Sequence, residues 1–394
     1  MNILRQVWAV SLMNLRSIPQ RWSTSLVIVV GIAGVVGVLT AILAMGEGFR
    51  ATLGAAGKED QAIVLRSGAT SELTSGLGRE TVDLIKRAPG VARGADGEPV
   101  ASAEILVIAD LPKAGTGTLA NAPIRGVQPG AFGLRPEVQI IEGRNFEPGP
   151  RELIVGRGAA SQFEGLDVGA RVAFRDADWT IVGIFSAGGG AHESELWGDA
   201  ETVMSAYRRG GFQSVTVQLE SPESIEAFQT ALADDPRLNV EAQTLRAYFS
   251  AQSQQMSTLI SVLGYTVGYI MAIGALFGAL NTMYAAISTR AREIATLRAL
   301  GFGSLAIVTS VMIEALLLAV IGGAIGGGLA WALFNGYTVS TLGANFSQVA
   351  FDFKVTGELL AQGIAWSLVI GFLGGLFPAW RAARQEVTTA LRAL

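Results

Sequence analysis

One histidine, His192, stands beside Glu193 and Glu195 in a glycine-rich stretch. An imidazole with neighbouring carboxylates is the beginning of a metal site, but zinc sites gather their ligands from several Cys, His and acidic side chains. This chain has one His and no Cys, so a metal set is not completed, and Ala187–Glu195 is expected to be a solvated loop. A lone histidine is compatible with Ser-His-Asp chemistry, yet no Gly-x-Ser-x-Gly elbow accompanies it. A phosphate-binding loop requires Gly-x-x-x-x-Gly-Lys-Ser/Thr; the segment Gly54–Lys58 lacks both the spacing and the hydroxyl. The chain is therefore not expected to hydrolyse ATP alone, nor to hold a cofactor or metal, and nothing makes a positive case for an enzyme. With no cysteine there is also no disulfide framework, catalytic thiol or lipidated Cys.

Two other charged features carry more information. Glu314 is the one ionisable residue of the apolar block Leu305–Phe334. Ionisable groups at membrane depth are costly and are kept for pairing or function. Secondary transporters show repeated sets of spans and sites at the midplane, whereas Glu314 is alone and about a third of the way into its block, which favours a structural role. The second feature is Ser288–Gly301, STRAREIATLRALG. Its arginines serve as topology determinants, and Ile294, Leu297 and Leu300 give the expected helix an apolar side able to dock into a groove on a partner.

The elements that place these residues follow from hydropathy. Half of the 394 residues are hydrophobic and 16% are charged, and the net charge of −4 offers no basic nucleic-acid surface. Spanning a bilayer takes about 20 apolar helical residues. Four blocks suffice: 23–45, 258–287, 304–334 and 359–378. The first exceeds the about 7–15 apolar residues of a signal peptide, so an uncleaved anchor is expected. Arg5, Arg16 and Arg21 precede it, Arg290, Arg292 and Arg298 lie between the second and third blocks, and Arg381, Arg384 and Arg392 follow the fourth. By the positive-inside rule both termini and residues 288–303 are expected in the cytoplasm, with 46–257 and the loop 335–358 outside. Residues 1–22 read as a cytoplasmic amphipathic helix, with Ile3, Val7, Val10 and Leu15 on one side, ending near Pro19, and 379–394 as a cytoplasmic tail. Small residues recur at helix-packing spacing: Gly264/Gly268, Gly274/Gly278, Gly322/Gly326, Gly323/Gly327 and Gly371/Gly375. Such faces let helices approach closely, and the spacing fits packing within the chain and a seam between two copies equally well.

The insert after the first span has soluble α+β composition. Gln61–Arg66 and Ser214–Leu219 read as strands, Arg79–Arg87 and Pro222–Ala233 as helices, and Asn239–Ala242 as a returning strand. These two strand–helix–strand units (46–99 and 211–257) are expected to fold together near the membrane. Between them, 100–210 is β-rich, with short runs at Ile105–Ile108, Ile124–Val127, Leu153–Val155, Arg171–Phe174 and Thr180–Phe185. The fold class is an α-helical membrane protein with four spans in a 1+3 arrangement and an extracytoplasmic α+β domain.

The segment REIATLRALG, followed by VMIEALLLAVIGG with Glu314, resembles the core of FtsX-like permeases of the MacB superfamily, the type VII ABC permeases. FPAWRAARQEVTTALRAL resembles that family's ending, where a proline (Pro378) closes the last span before Arg381, Ala382, Ala383 and the terminal Ala390-Leu391-Arg392; Trp380 departs from the usual small or basic run. IIEGRNF, ELIVGRGAA, LDVGARV and WTIVGIF resemble its periplasmic core domain in order and spacing. The resemblance implies the permease subunit of an ABC transporter in a bacterial inner membrane. Two ATPase subunits would bind ATP and Mg and drive two permease protomers, as a homodimer. It implies that Arg290, Arg292, Glu293, Ile294, Leu297, Arg298, Leu300 and Gly301 form the ATPase-coupling element. It further implies that the outer domain engages a substrate, a membrane-fusion adaptor or another protein, with an outer-membrane channel as a further partner. The implied action is export or extraction by mechanical relay. An FtsX-type transducer that switches a cell-wall hydrolase without transport is the alternative.

Overall fold

The computed structural model describes residues 3–17, 22–175, 177–342 and 348–384. The chain forms two units: one made of residues up to Glu47, Leu259–Tyr337 and those from Phe353 on, the other of Gly48–Thr258 with Thr338–Asp352.

The first unit is helical. It contains α1 (Ile3–Ser17), most of α2 (Trp22–Ala55) and most of the long α8 (Leu245–Thr289), with α9 (Ala291–Ala299), α10 (Ser304–Phe334) and α11 (Gly357–Arg384). Among the described residues, α2, α8, α10 and α11 are the four helices long and apolar enough to cross a membrane. Their shared core includes Ile32, Val36, Met283, Leu318, Ala319 and Ile370. The glycines of α10 explain how its neighbours approach. A Cβ on Gly326 would lie 2.4 Å from the Ala33 carbonyl oxygen of α2, and one on Gly323 would lie 2.5 Å from Ser367 Oγ of α11. Adjacent i, i+4 glycine pairs thus open two faces of one helix to two partners.

Pro378 does not end its helix. It lies inside α11, which continues to Arg384. A proline inside a helix removes one N–H donor and its ring presses on the carbonyl four residues earlier, yet α11 carries it without ending. The tail motif Ala390-Leu391-Arg392 and the expected helix end at Pro19 lie outside the described residues.

The second unit is built on a ten-stranded mixed sheet. Its strands are β1 (Gln61–Arg66), β2 (Ala101–Pro112), β3 (Leu119–Val127), β4 (Gln139–Gly143), β5 (Glu152–Gly156), β6 (Arg171–Phe174), β7 (Ala177–Ser186), β8 (Leu196–Asp199), β9 (Ser214–Gln218) and β10 (Val240–Thr244). The order is β10-β1-β9-β2-β3-β8-β5-β7-β4, with β6 on β7. β1 lies antiparallel between β9 and β10. The strand from the start of the insert therefore completes the strand–helix–strand at its end, whose helix is α7 (Ile225–Asp234). β2 joins the two halves: Ala101–Glu104 pair with β9, and Ile105–Pro112 pair with β3. The strands β3 and β8, like β5 and β7, run parallel. Alternating apolar residues of the strands, with α3 (Arg79–Lys86), α5 (Arg157–Gln162) and α6 (Ala200–Ala206), close a core around Ile105, Ile124, Trp179, Val203 and Phe228. The short helix α4 (Gly130–Leu134) adds Ala131 to a smaller cluster with Phe185 and Trp197.

The segment expected as a plain loop between the last two spans carries a hairpin, β11 (Thr338–Leu342) with β12 (Gln348–Asp352). It belongs to the second unit: the Ala350 N–H donates to Ser194 Oγ at 2.8 Å, and Phe351 meets Phe49 edge-on at 5.4 Å.

Candidate functional site

The basic segment between the second and third spans folds as α9. The Arg290 carbonyl accepts its first helical hydrogen bond, from the Ile294 N–H at 3.0 Å. The helix stops because Gly301 takes φ +92°, a left-handed conformation that costs little only for glycine. The Gly301 N–H then donates to the Arg298 carbonyl and the Phe302 N–H to the Leu297 carbonyl, both at 3.0 Å. This paired arrangement satisfies the last carbonyls of the helix.

The side chains of α9 divide unequally. Ile294 is buried in the helical unit's core, and Leu297 and Arg298 are half-buried. Arg292, Glu293 and Leu300 are exposed, Leu300 at 72%. The apolar stripe of the sequence is thus spent largely inside the chain, and Leu300 is its outward-facing member. Arg290 turns inward: Nη1 donates to Glu314 Oε2 at 3.4 Å, Nε donates to Glu293 Oε2 at 3.1 Å, and Nη2 donates to Asn14 Oδ1. Glu314, 5% exposed on α10, thereby has a cation beside it.

The ten spaced glycines also divide. A Cβ on Gly322 or Gly326 would press on α2, on Gly323 or Gly327 on α11, on Gly371 or Gly375 on α10, and on Gly264 or Gly268 on Ile42 and Leu39 of α2. Gly274 and Gly278 face open space. Beside α2 and α10 runs an apolar groove of about 640 Å³ lined by Val30, Gly34, Gly37, Ile325, Leu329 and Phe334. It offers no charged side chain to orient a polar ligand.

In the second unit the structure overturns the solvated loop. Ala191–Ser194 form a 3-10 turn with every side chain buried, and His192 is 4% exposed. The reason is a buried ion network that no local sequence pattern announces. Arg125 on β3 donates two hydrogen bonds to Glu195 at 2.8 Å, two to Glu72 at 2.7 and 3.0 Å, and one to Glu104 on β2 at 2.8 Å. Arg135 holds the same Glu104 at 2.6 and 3.0 Å. His192 Nδ1 lies 3.2 Å from Glu195 Oε2, and Trp197 Nε1 donates to that oxygen at 2.7 Å. Ser214 Oγ donates to Glu72 at 2.7 Å. Burial by itself pushes the Glu195 carboxyl up, but the Arg125 guanidinium reverses this and holds it well below the usual carboxylate range. Glu104 is likewise lowered: Arg135 and Arg125 outweigh its burial. Burial works against the Arg125 charge, and Glu195 and Glu72 more than offset it, raising its pKa well above the ordinary value. The network sits where β2 changes partner from β9 to β3, since Glu104 is the last residue paired with β9 and Arg125 faces Leu106 across the ladder. Among the described residues no group of three or more His, Asp or Glu is arranged to hold a metal ion.

The helical unit and the mixed-sheet unit define a polytopic membrane protein with a large α+β insert after its first span. Residues 25–235 match the model of the MacB-like periplasmic core domain, and residues 265–387 match that of the FtsX-like permease C-terminal. The chain belongs to this family, the ABC-transporter permeases of the MacB/FtsX type.

It is similar to an ABC transporter permease, YknZ of Bacillus subtilis, at 23% identity over 50% of this chain and 49% of that one. It is 25% identical to the pyoverdine export ATP-binding/permease protein PvdT of Pseudomonas fluorescens, over 93% of this chain and 56% of that one. It is 28% identical to the macrolide export ATP-binding/permease protein MacB of Campylobacter fetus, over 58% of this chain and 36% of that one. The chain thus spans about half the length of the curated relatives it matches, or less. The solved periplasmic region of MacB from Actinobacillus actinomycetemcomitans aligns with 49% of this chain and 92% of its own length, at 11% identity and a TM-score of 0.37.

Proposed function

We propose that this chain is the permease of an ABC system in a bacterial inner membrane, with both termini cytoplasmic and the sheet unit in the periplasm. ATP and Mg are bound by a separate ATP-binding subunit, two per complex, and two permease copies act together. α9 receives the ATPase. Movement of that helix passes through the spans to the sheet unit, which drives export or extraction of a substrate, working with a periplasmic adaptor and an outer-membrane channel. The observation that carries this reading is α9 itself: a short helix between two spans, fixed on its inner side by Ile294 and Arg290 and presenting Leu300, Arg292 and Glu293 outward. A helix built this way moves with the spans and still offers a contact face. The family match and relatives named as ATP-binding/permease proteins support the ATP-driven part. The test is purification of the tagged chain from its native membrane. An ATP-binding subunit should accompany it in equal number and lose its permease-dependent stimulation when Leu300 becomes Asp. An active complex with no ATP-binding partner sinks the reading.

A further inference from the structure

The coupling segment is tied down at both ends by one helix. At its start, Arg290 donates to Asn14 of α1, and the Asn14 amide in turn donates to Ser310 Oγ of α10. At its end, Gly303, which caps α10, donates its N–H to Gln6 Oε1 of α1 at 3.1 Å. Gln6 and Asn14 are eight residues apart, about 12 Å along a helix. α1 thus touches 290–303 at both ends while packing along α10, and Asn14 is itself buried.

The charge at the centre makes this contact more than packing. Glu314 lies within an apolar span, where an unpaired charge is costly. The Arg290 guanidinium, with five donors in a fixed fork, serves Glu314, Glu293 and Asn14 together. Glu293 is exposed and contributes little, so the anchoring partners are Glu314 and Asn14. A cavity of about 20 Å³ beside Val10, Asn14, Arg290, Ile294 and Glu314 has room for about one water between these groups.

We infer that Asn14, Arg290 and Glu314 are positioning residues for energy coupling: a polar clamp through which α1 and α10 grip the ATPase-receiving helix, so that α1, α9 and α10 move as one body. The clamp rests on the proposed role of α9, and it assigns α1 a function beyond lying at the membrane surface. None of the three touches the ATPase. Loosening the clamp therefore lowers the effect of the permease on the ATPase while leaving the two subunits bound.

The experiment uses the full chain with its native ATP-binding subunit in vesicles of phosphatidylethanolamine and phosphatidylglycerol, and measures kcat and KM for ATP together with subunit stoichiometry. Glu314→Gln and Asn14→Leu should each keep the ATP-binding subunit at wild-type stoichiometry and leave KM unchanged. Stimulation of kcat by the permease should fall by about fivefold or more, the lower range of typical coupling between sites. Glu314→Asp, which keeps the charge, should restore most of it. If Glu314→Gln does not accumulate in the membrane, Asn14→Leu decides the question, because the ion pair stays in place. Unchanged stimulation in Asn14→Leu overturns the clamp, and so does loss of the ATP-binding subunit, which would make these residues part of the docking surface. A wild-type chain that recruits no ATP-binding subunit at all defeats the parent reading instead.

Discussion

Arg125 faces three carboxylates, and this arrangement sets the residue-level behaviour of the sheet unit. Replacing one member of a buried ion cluster strands the others, at a cost of about 3–5 kcal/mol. Arg125→Met should therefore lower the unfolding free energy of the sheet unit by about that amount, read by urea titration of the buried Trp179 and Trp197 fluorescence. Arg79→Met, which breaks the exposed pair with Glu201, should leave the transition almost in place. The same network fixes the acid response. Glu195 and Glu104 have lowered pKa values in the folded state. Their stabilisation is present above the unfolded carboxylate value, about 4.3, and is lost as pH falls below it through the folded values. Glu195→Gln should flatten that acid limb in unfolding curves recorded from pH 6 downward, on the order of one carboxylate's share; an unchanged limb would remove Glu195 from the account. None of this was legible in the sequence. Glu104 and Arg125 meet through the pairing of β2 with β3, while Glu72 comes from a 3-10 turn after β1 and Glu195 from the residue just before β8. His192 looked solvated because glycines surround it, while its burial comes from Glu195 and Trp197 beside it.

At the scale of elements, hydropathy and periodicity were informative wherever a segment's fate is decided locally. β1 and β6 have the expected limits, and the four spans follow from apolar length. β4, β8 and the β11–β12 hairpin escaped notice because they are short strands set by their neighbours: β8 between β3 and β5, β12 against β11 and Ser194. Pro378 misled because a proline marks a helix end only where the chain leaves the helix there, and α11 continues to Arg384. The glycine spacing gave the faces without their partners, and the structure supplies a prediction. Gly326→Leu places a side chain against the Ala33 carbonyl, an overpacking cost of about 1–3 kcal/mol. It should lower the thermal midpoint of the detergent-solubilised chain, whereas Gly278→Ala, facing open space, should not. Equal midpoints would mean that α2 and α10 do not approach as closely as described. At the end of α9, Gly301→Ala forces a left-handed alanine, costing about 1–2 kcal/mol. Hydrogen exchange of the amides at positions 301 and 302 should be faster in this variant than in the wild type.

For the whole molecule, the uneven placement of one span before the sheet unit and three after it, together with a basic turn, was readable from sequence and agrees with the two family matches along the chain. The identity of the residues that hold the turn was not, because Asn14 and Glu314 are ordinary polar residues until α1 and α10 bring them to Arg290. The claim on which the functional account depends is that the outward face of α9 meets an ATP-binding subunit. The chain contains no cysteine, so Leu300→Cys introduces a single thiol on that face. Leu119→Cys does the same at the exposed first residue of β3 in the sheet unit. The measurement is thiol-directed cross-linking in native membranes with MgATP present, followed by identification of the joined protein. The account predicts a cross-link from position 300 to an ATP-binding subunit and none from position 119; a cross-link to that subunit from 119 and not from 300 would contradict it.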